Sequence, residues 1–203
     1  MRLHHSPASP FVRKVMVLLH EAGRPDAVEI VPAGGTPLDP AGMPLAHNPL
    51  GKIPCLERAD GPPVFDSRVI TRYLDATLGA GLYPDPPRLW ESLTLEALAD
   101  GIMDAAVLMR YETILRPETQ RSAEWLEAQW QKIARSLDAL ETGWGGFLSG
   151  PLCAGQIALG CALGYLDFRH AARSWRAGRP KLAQWAAQMA RRPSMQATEP
   201  PAG

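Results

Sequence analysis

The 203-residue sequence carries no surplus of either charge: Lys plus Arg and Asp plus Glu number 21 each. Without a basic excess it lacks the electrostatic footprint of a nucleic-acid or anionic-membrane binder, and neither partner is expected. Long apolar runs are missing too, since no stretch reaches the ~20 residues that a membrane-spanning helix needs. The opening segment from Met1 to Phe11 has no apolar core of signal-peptide length. Cysteine is scarce and never spaced C-x-x-C; Cys55, Cys153 and Cys161 argue against a disulfide framework and a structural zinc site. Together these absences predict a cytoplasmic protein, without a metal, whose function resides in a localised site.

What the sequence does have is 46% apolar residues arranged with two different periodicities. Up to about Gly79, short strand-like runs (1–5, 28–31, 52–57 and 63–65) alternate with helical patterns over 11–21 and 67–78. A further short helix is expected around 41–47, giving the order β-α-β-α-β-β-α. The Gly- and Pro-rich stretch Gly79 to Arg88 reads as a linker. Beyond it the strand signal disappears, and Leu, Ala and Trp recur at helical spacing over 89–111, 122–141, 154–172 and 181–191. The expected organisation is an α/β domain over 1–79, a linker over 80–88 and an all-helical domain over 89–203. The six tryptophans are expected to fill or rim the helical core, and the tail from Glu199 to Gly203 to be disordered.

Three segments carry candidate chemistry. Ser9-Pro10 suits the N-cap and first position of a helix. The same geometry offers an alternative: free N–H groups and a positive dipole end favour an anion, and a hydroxyl there can donate to a thiolate. Ser6 is a second candidate for that role. Ile53-Pro54 reads either as an edge or turn device or as a cis bond whose preceding backbone pairs with an extended peptide ligand. Cys55 beside it reads as a small buried hydrophobe rather than a reactive thiol. Asp66-Ser67 is either an ordinary helix cap or the pair that holds the ammonium and carboxylate of an α-amino acid. His4 and His5 are expected one buried and one exposed, with no nearby partners to suggest a metal site.

In this order and spacing the segments resemble the glutathione transferase superfamily. Ser9-Pro10-Phe11-Val12-Arg13-Lys14-Val15 is similar to its catalytic stretch, Asn48-Pro49-Leu50-Gly51-Lys52-Ile53-Pro54 to its cis-proline loop, and Asp66-Ser67 to its acidic residue–serine pair. Ala162 to Arg169 and Arg192-Pro193-Ser194 resemble segments of its helical half. The resemblance implies a thioredoxin-like α/β N-terminal domain plus an all-α C-terminal helical domain, the cytosolic glutathione transferase architecture. It implies Ser9 as the catalytic thiolate partner, with Phe11, Lys52, Ile53, Pro54, Asp66 and Ser67 binding glutathione. A second-substrate pocket near Met103, Val107, Arg110 and Tyr111 would receive a hydrophobic electrophile for detoxifying transfer; ordinary packing of this helix against its neighbours is the other reading of these four residues. A homodimer, through the faces of the Ser67 and Leu89 helices, follows by the same likeness. Two other functions fit the resemblance: a non-catalytic glutathione-binding or regulatory module, and a glutathione-dependent isomerase or dehalogenase.

One stretch departs from the family pattern. Where members carry a Ser/Thr-x-x-Asp capping box, this sequence has Cys153-Ala154-Gly155-Gln156. Cys caps poorly and Gly155 adds backbone entropy, so the expected cost is ~1 kcal/mol. Restoring Ser and Asp is expected to raise the melting temperature unless Gln156 already reaches back to a backbone N–H.

Overall fold

In the computed structural model, which describes residues 1–201, the chain divides into two units, Met1–Asp85 with the segment from Pro193, and Pro86–Arg192. The first is built on four short strands, β1 (Arg2–His5), β2 (Glu29–Pro32), β3 (Cys55–Arg58) and β4 (Gly61–Val64), in the order β2-β1-β3-β4. β1 and β2 run parallel, whereas β3 is antiparallel to both β1 and β4. Alternation along the strands places Leu3 and its cross-strand partner Leu56 on one face, both wholly buried. Arg2, His4, Cys55 and Glu57 share the other face.

Helix α1 (Pro10–Glu21) follows β1 and buries Val12, Val15, Leu18 and Leu19 completely. It ends as the sequence predicts, with Gly23 at φ +67° and the Arg24 N–H returning to the Leu19 carbonyl at 2.9 Å. Helix α2 (Ser67–Leu78) buries Ile70 and Leu74 and stops at Gly79, φ +66°. Its Asp75 carboxylate accepts from the Leu82 N–H at 2.7 Å and folds the following residues back onto the helix.

Two expectations for this unit require correction. No helix forms over 41–47; the segment is a series of turns, such as the Met43 N–H to the Pro40 carbonyl and Asn48 N–H to the Pro44 carbonyl. Pro40, Pro44 and Pro49 each remove a donor and disfavour helical backbone in the residue before. The domain boundary also moves. The segment from Pro193, expected in the helical domain, forms α8 (Pro193–Ala197) and belongs to the first unit. Arg13 holds it, donating to the Met195 carbonyl at 3.0 Å, and Ser194 hydrogen-bonds to Glu21. Of the tail expected to be disordered, Ala202 and Gly203 lie outside the described residues, while the Glu199 N–H reaches the Gln196 carbonyl at 3.3 Å.

The second unit is wholly helical: α3 (Arg88–Leu115), α4 (Ala123–Gly143), α5 (Gly145–Leu148), α6 (Ala154–His170) and α7 (Pro180–Ala190). The linker expected through Arg88 therefore ends sooner, because Pro86 and Pro87 already group with this unit and α3 starts at Arg88. α6 is its core. Residues from Ala154 through Leu163 are all buried, which suits a helix apolar on every side. Gly155 brings α6 onto α3 so closely that a Cβ there would meet the Ser92 carbonyl oxygen at 2.4 Å. Trp175 and Trp130 are buried as expected, but Trp90 is 62% exposed and lies outside the core.

At the start of α6 Gln156 does reach back. Its Oε1 accepts from the buried Cys153 N–H at 2.8 Å, and its Nε2 donates to the Leu148 carbonyl at 3.0 Å. The cap missing from the family pattern is thereby replaced by one amide working in both directions.

Candidate active site

The sheet register gathers the three candidate segments at one end of the first unit. β1 ends at His5 and leads into α1; the pairing of His4 with Cys55 sets Pro54, just before β3, alongside that exit. Leu56 pairs with Val64, so β4 ends at the same edge and hands the chain to Asp66 and Ser67 at the start of α2. Two helix N-termini, each the positive end of its dipole, and one loop therefore meet where β1 and β4 finish.

Ser9 is the N-cap of α1, and its Oγ accepts from the Val12 N–H at 3.3 Å. A hydroxyl has one donor and two acceptor lone pairs, so the capping bond leaves the Ser9 proton free to donate outward. Ser6 accepts the Ser9 N–H on its carbonyl at 3.1 Å and shapes the turn between strand and helix. Phe11, in the first turn, is half-buried.

Ile53-Pro54 is cis, the alternative left open by the dipeptide. The approach to it is stiffened by Asn48, which donates to the Lys52 carbonyl at 2.8 Å and accepts from the Leu50 N–H at 3.1 Å. Gly51 takes φ +60° between them, a conformation that costs a side chain dearly. Lys52 is exposed, Pro54 is buried, and the Ile53 N–H and C=O make no hydrogen bond among the described residues. Both remain available to an extended backbone.

Asp66 is exposed and caps α2 by accepting from the Arg68 N–H at 3.0 Å. Ser67 is 2% exposed, and its carbonyl accepts from the Thr71 hydroxyl at 2.8 Å, which is shared with the Tyr83 hydroxyl at 2.7 Å. Thr71 and Tyr83 thus fix the start of α2, a support that no local sequence signal announces.

Cys55 sits beside the site but is fully buried, and burial with the Glu57 charge raises its thiol pKa to about 11. A protonated, enclosed thiol is no nucleophile, in keeping with the reading of Cys55 as a small hydrophobe. The nearby His5 imidazole is held below its ordinary pKa by burial.

In the second unit, the residues expected to line a second-substrate pocket divide. Val107, Arg110 and Tyr111 on α3 are partly exposed, but Met103 is 0% exposed and lines no open surface, a correction that follows from its place on the buried stripe of α3. Burial raises the Tyr111 pKa, and it raises that of Tyr165 to about 12, so both phenols stay neutral donors. His170, next in this group, bonds to the Ala106 carbonyl at 2.9 Å.

The expectation that His4 has no partner for a metal site is overturned. His4 Nε2 lies 2.8 Å from Glu57 Oε1, and His47 Nε2 lies 3.7 Å from the same oxygen. Sequence reasoning missed the cluster because its members are 43 or more positions from His4 and only the sheet register and the 33–52 turns unite them.

Residues 8–77 match the family model for the glutathione S-transferase N-terminal domain, and residues 123–188 that for its C-terminal domain. The chain is 38% identical to the uncharacterised GST-like protein YibF of Escherichia coli K12, over 99% of each chain. Among solved structures it resembles a glutathione transferase family member from Pseudomonas fluorescens Pf-5 with bound glutathione. That match has a TM-score of 0.95 and 48% identity over 98% of both chains. A structure from the same organism with bound S-(propanoic acid)-glutathione matches at TM-score 0.91 and 47% identity, over 99% of this chain and all of the other. The chain belongs to the glutathione S-transferase family, and its thioredoxin-like first unit and helical second unit are the architecture that the resemblance implied.

Proposed function

From this membership we propose that the protein binds glutathione at the edge where β1 and β4 end, and stabilises its thiolate for attack on a hydrophobic electrophile. The observation that carries the proposal is the convergence of Ser9, Ile53-Pro54 and Asp66-Ser67 through the register of one four-stranded sheet. They supply three different recognition chemistries in the order a γ-glutamyl-cysteinyl peptide needs them. The Ser67 N–H and hydroxyl hold the γ-glutamyl carboxylate at a helix N-terminus, and Asp66 accepts from its ammonium. Ile53 pairs backbone to backbone with the cysteinyl residue, while Lys52 reaches the glycyl carboxylate. Phe11 borders the sulfur, and Ser9 donates to it.

A thiol of reference pKa ~8.5 is only partly ionised at neutral pH. The Ser9 hydroxyl and the α1 dipole favour the anion, and each acts without proton transfer to the protein. Serine forms no mixed disulfide with glutathione, so the sulfur remains free to attack a second molecule. The related structure that holds an S-substituted glutathione supports a site tolerant of a group on sulfur. Val107, Arg110 and Tyr111 are the side chains we assign to the second substrate.

A homodimer in the cytoplasm completes the reading; the dimer is supported by Val69 on α2 and Trp90 on α3, apolar side chains 50% and 62% exposed, and light scattering tests it. Turnover of an aromatic halide or epoxide panel tests the transfer itself. Saturable glutathione binding without turnover on any member would replace the transferase by a binding module. Ser67→Ala should raise the glutathione dissociation constant, and an unchanged value would remove Ser67 from the γ-glutamyl end.

A further inference from the structure

We propose that His4, His47 and Glu57 form a binding site for a divalent transition cation of the Zn²⁺ type, clipping the turns ahead of the Ile53-Pro54 loop to the sheet. The three side chains come from β1, the 33–52 turns and β3, and their ligand atoms all lie within 4.8 Å of one another. A tetrahedral ion with bonds of about 2.0–2.1 Å holds its ligands about 3.3 Å apart. The Glu57 oxygen lies 2.8 Å from His4 Nε2 and 3.7 Å from His47 Nε2, distances that bracket this spacing.

Ordinary hydrogen bonding accounts for only part of the arrangement. His4 and Glu57 satisfy one another, but 3.7 Å is too long for a hydrogen bond, and His47 has no other side-chain hydrogen bond among the described residues. Its ring nevertheless lies against His4, centroids 5.4 Å apart and tilted by 32°. Two imidazoles turned toward one carboxylate oxygen are a donor set that suits zinc, copper or nickel better than magnesium or calcium. Solvent can reach the site, since the His47 side chain is 37% exposed, while His4 and Glu57 are held at 11% and 21%.

Arg2 is the one opposing charge. Its guanidinium lies 3.3 Å from Glu57 Oε1 and 3.4 Å from Oε2. A carboxylate can keep the second oxygen on Arg2 while the first meets the ion, an outer contact that orients the ligand. Cys55 shares the sheet face but falls outside the ligand cluster, which leaves the fourth position of the ion to water or a small ligand.

The consequence lies in the adjoining residue. His47 precedes Asn48, the residue that holds the 48–52 turn in shape, so an ion on His47 fixes that turn to β1 and β3. Any effect of this clamp on a ligand at Ile53-Pro54 rests on the proposed glutathione site; the ion site does not, and its test uses no glutathione.

The experiment titrates tag-free, metal-stripped full-length protein with Co²⁺ and follows its visible ligand-field absorption, then competes with Zn²⁺ and with Mg²⁺. The proposal predicts one Co²⁺ per chain with a tetrahedral spectrum, displaced by Zn²⁺ and not by Mg²⁺. His47→Ala, at a partly exposed turn residue that spares the core, should weaken binding by at least about 100-fold, as should Glu57→Gln. Unaltered Co²⁺ affinity in His47→Ala, a thiolate charge-transfer band that would place the ion on cysteine, or no stoichiometric binding overturns it.

Discussion

Gln156 is the side chain on which the start of the core helix depends most. It is 3% exposed, and its amide accepts from the Cys153 N–H at 2.8 Å and donates to the Leu148 carbonyl at 3.0 Å. Gln156→Leu keeps the volume and removes both of these bonds, along with the longer donations from Nε2 to the Gly150 carbonyl at 3.4 Å and the Phe147 carbonyl at 3.5 Å. The Leu148 carbonyl keeps a partner, because Trp185 Nε1 also donates to it at 3.1 Å, but the Cys153 N–H is left buried and alone. An orphaned buried donor costs about 1–3 kcal/mol and each lost net bond about 1 kcal/mol, so the variant should lose about 3 kcal/mol. At roughly 2–4 °C per kcal/mol for a chain of this size, the melting temperature should fall by roughly 6–12 °C in scanning calorimetry. Cys153→Ser with Gln156→Asp, the substitution suggested by family pattern alone, should also lower it, since Asp cannot donate to Leu148. A Gln156→Leu protein melting within about 2 °C of the parent, or a gain from the Ser/Asp pair, would refute this account of the cap.

Gly155→Ala should cost about 3 kcal/mol or more as an overpacked contact, because its Cβ would meet the Ser92 carbonyl oxygen at 2.4 Å and Leu95 Cβ at 3.0 Å; a neutral change in calorimetry would show that α3 and α6 separate freely. Acidification should destabilise the protein before any carboxylate titrates. Burial, aided by Arg173, Arg110 and Arg169 and opposed by the Ala106 carbonyl bond, holds the His170 pKa below 6.5, and burial does the same for His5. Both stay neutral where the unfolded chain takes up protons, so their contribution is complete above pH 6.5 and is lost as pH falls through their folded values. His170→Gln should flatten the melting-temperature profile below pH 6.5, and an unchanged profile would exclude it. Ser9→Ala should lower the thiolate absorbance of bound glutathione at neutral pH while leaving α1 formed, since Pro10 still starts the helix; full retention of the thiolate would assign its stabilisation to the helix dipole alone.

The parts of the molecule legible from sequence are those with local causes. α1 is marked by Ser9-Pro10 at one end and Gly23 at the other, and α2 by Asp66 and Gly79, so both follow from capping and periodicity. The candidate glutathione residues can be singled out from sequence for the same reason, since they lie at helix starts or in the loop entering β3, each with its own chemical signature. At 41–47 the apolar residues imitate a helix that Pro40, Pro44 and Pro49 prevent. What sequence could not supply is the meeting of distant residues. Arg13 with Met195, Thr71 with Tyr83, and His4 with His47 and Glu57 meet only once the elements that carry them are folded together. Gly155 is the sharpest case: alone it is an entropic cost, and beside Ser92 it is the only residue that fits.

The central claim is that one edge of the first unit recognises glutathione through Ser9, Ile53 and Asp66-Ser67. Isothermal titration of the full-length protein with glutathione tests it most directly, with Ser67→Ala run alongside. The account predicts saturable binding of one glutathione per chain, weakened about 10-fold or more when the Ser67 hydroxyl, a hydrogen bond to a charged group, is removed. No saturable binding, or the same affinity in both proteins, would contradict it.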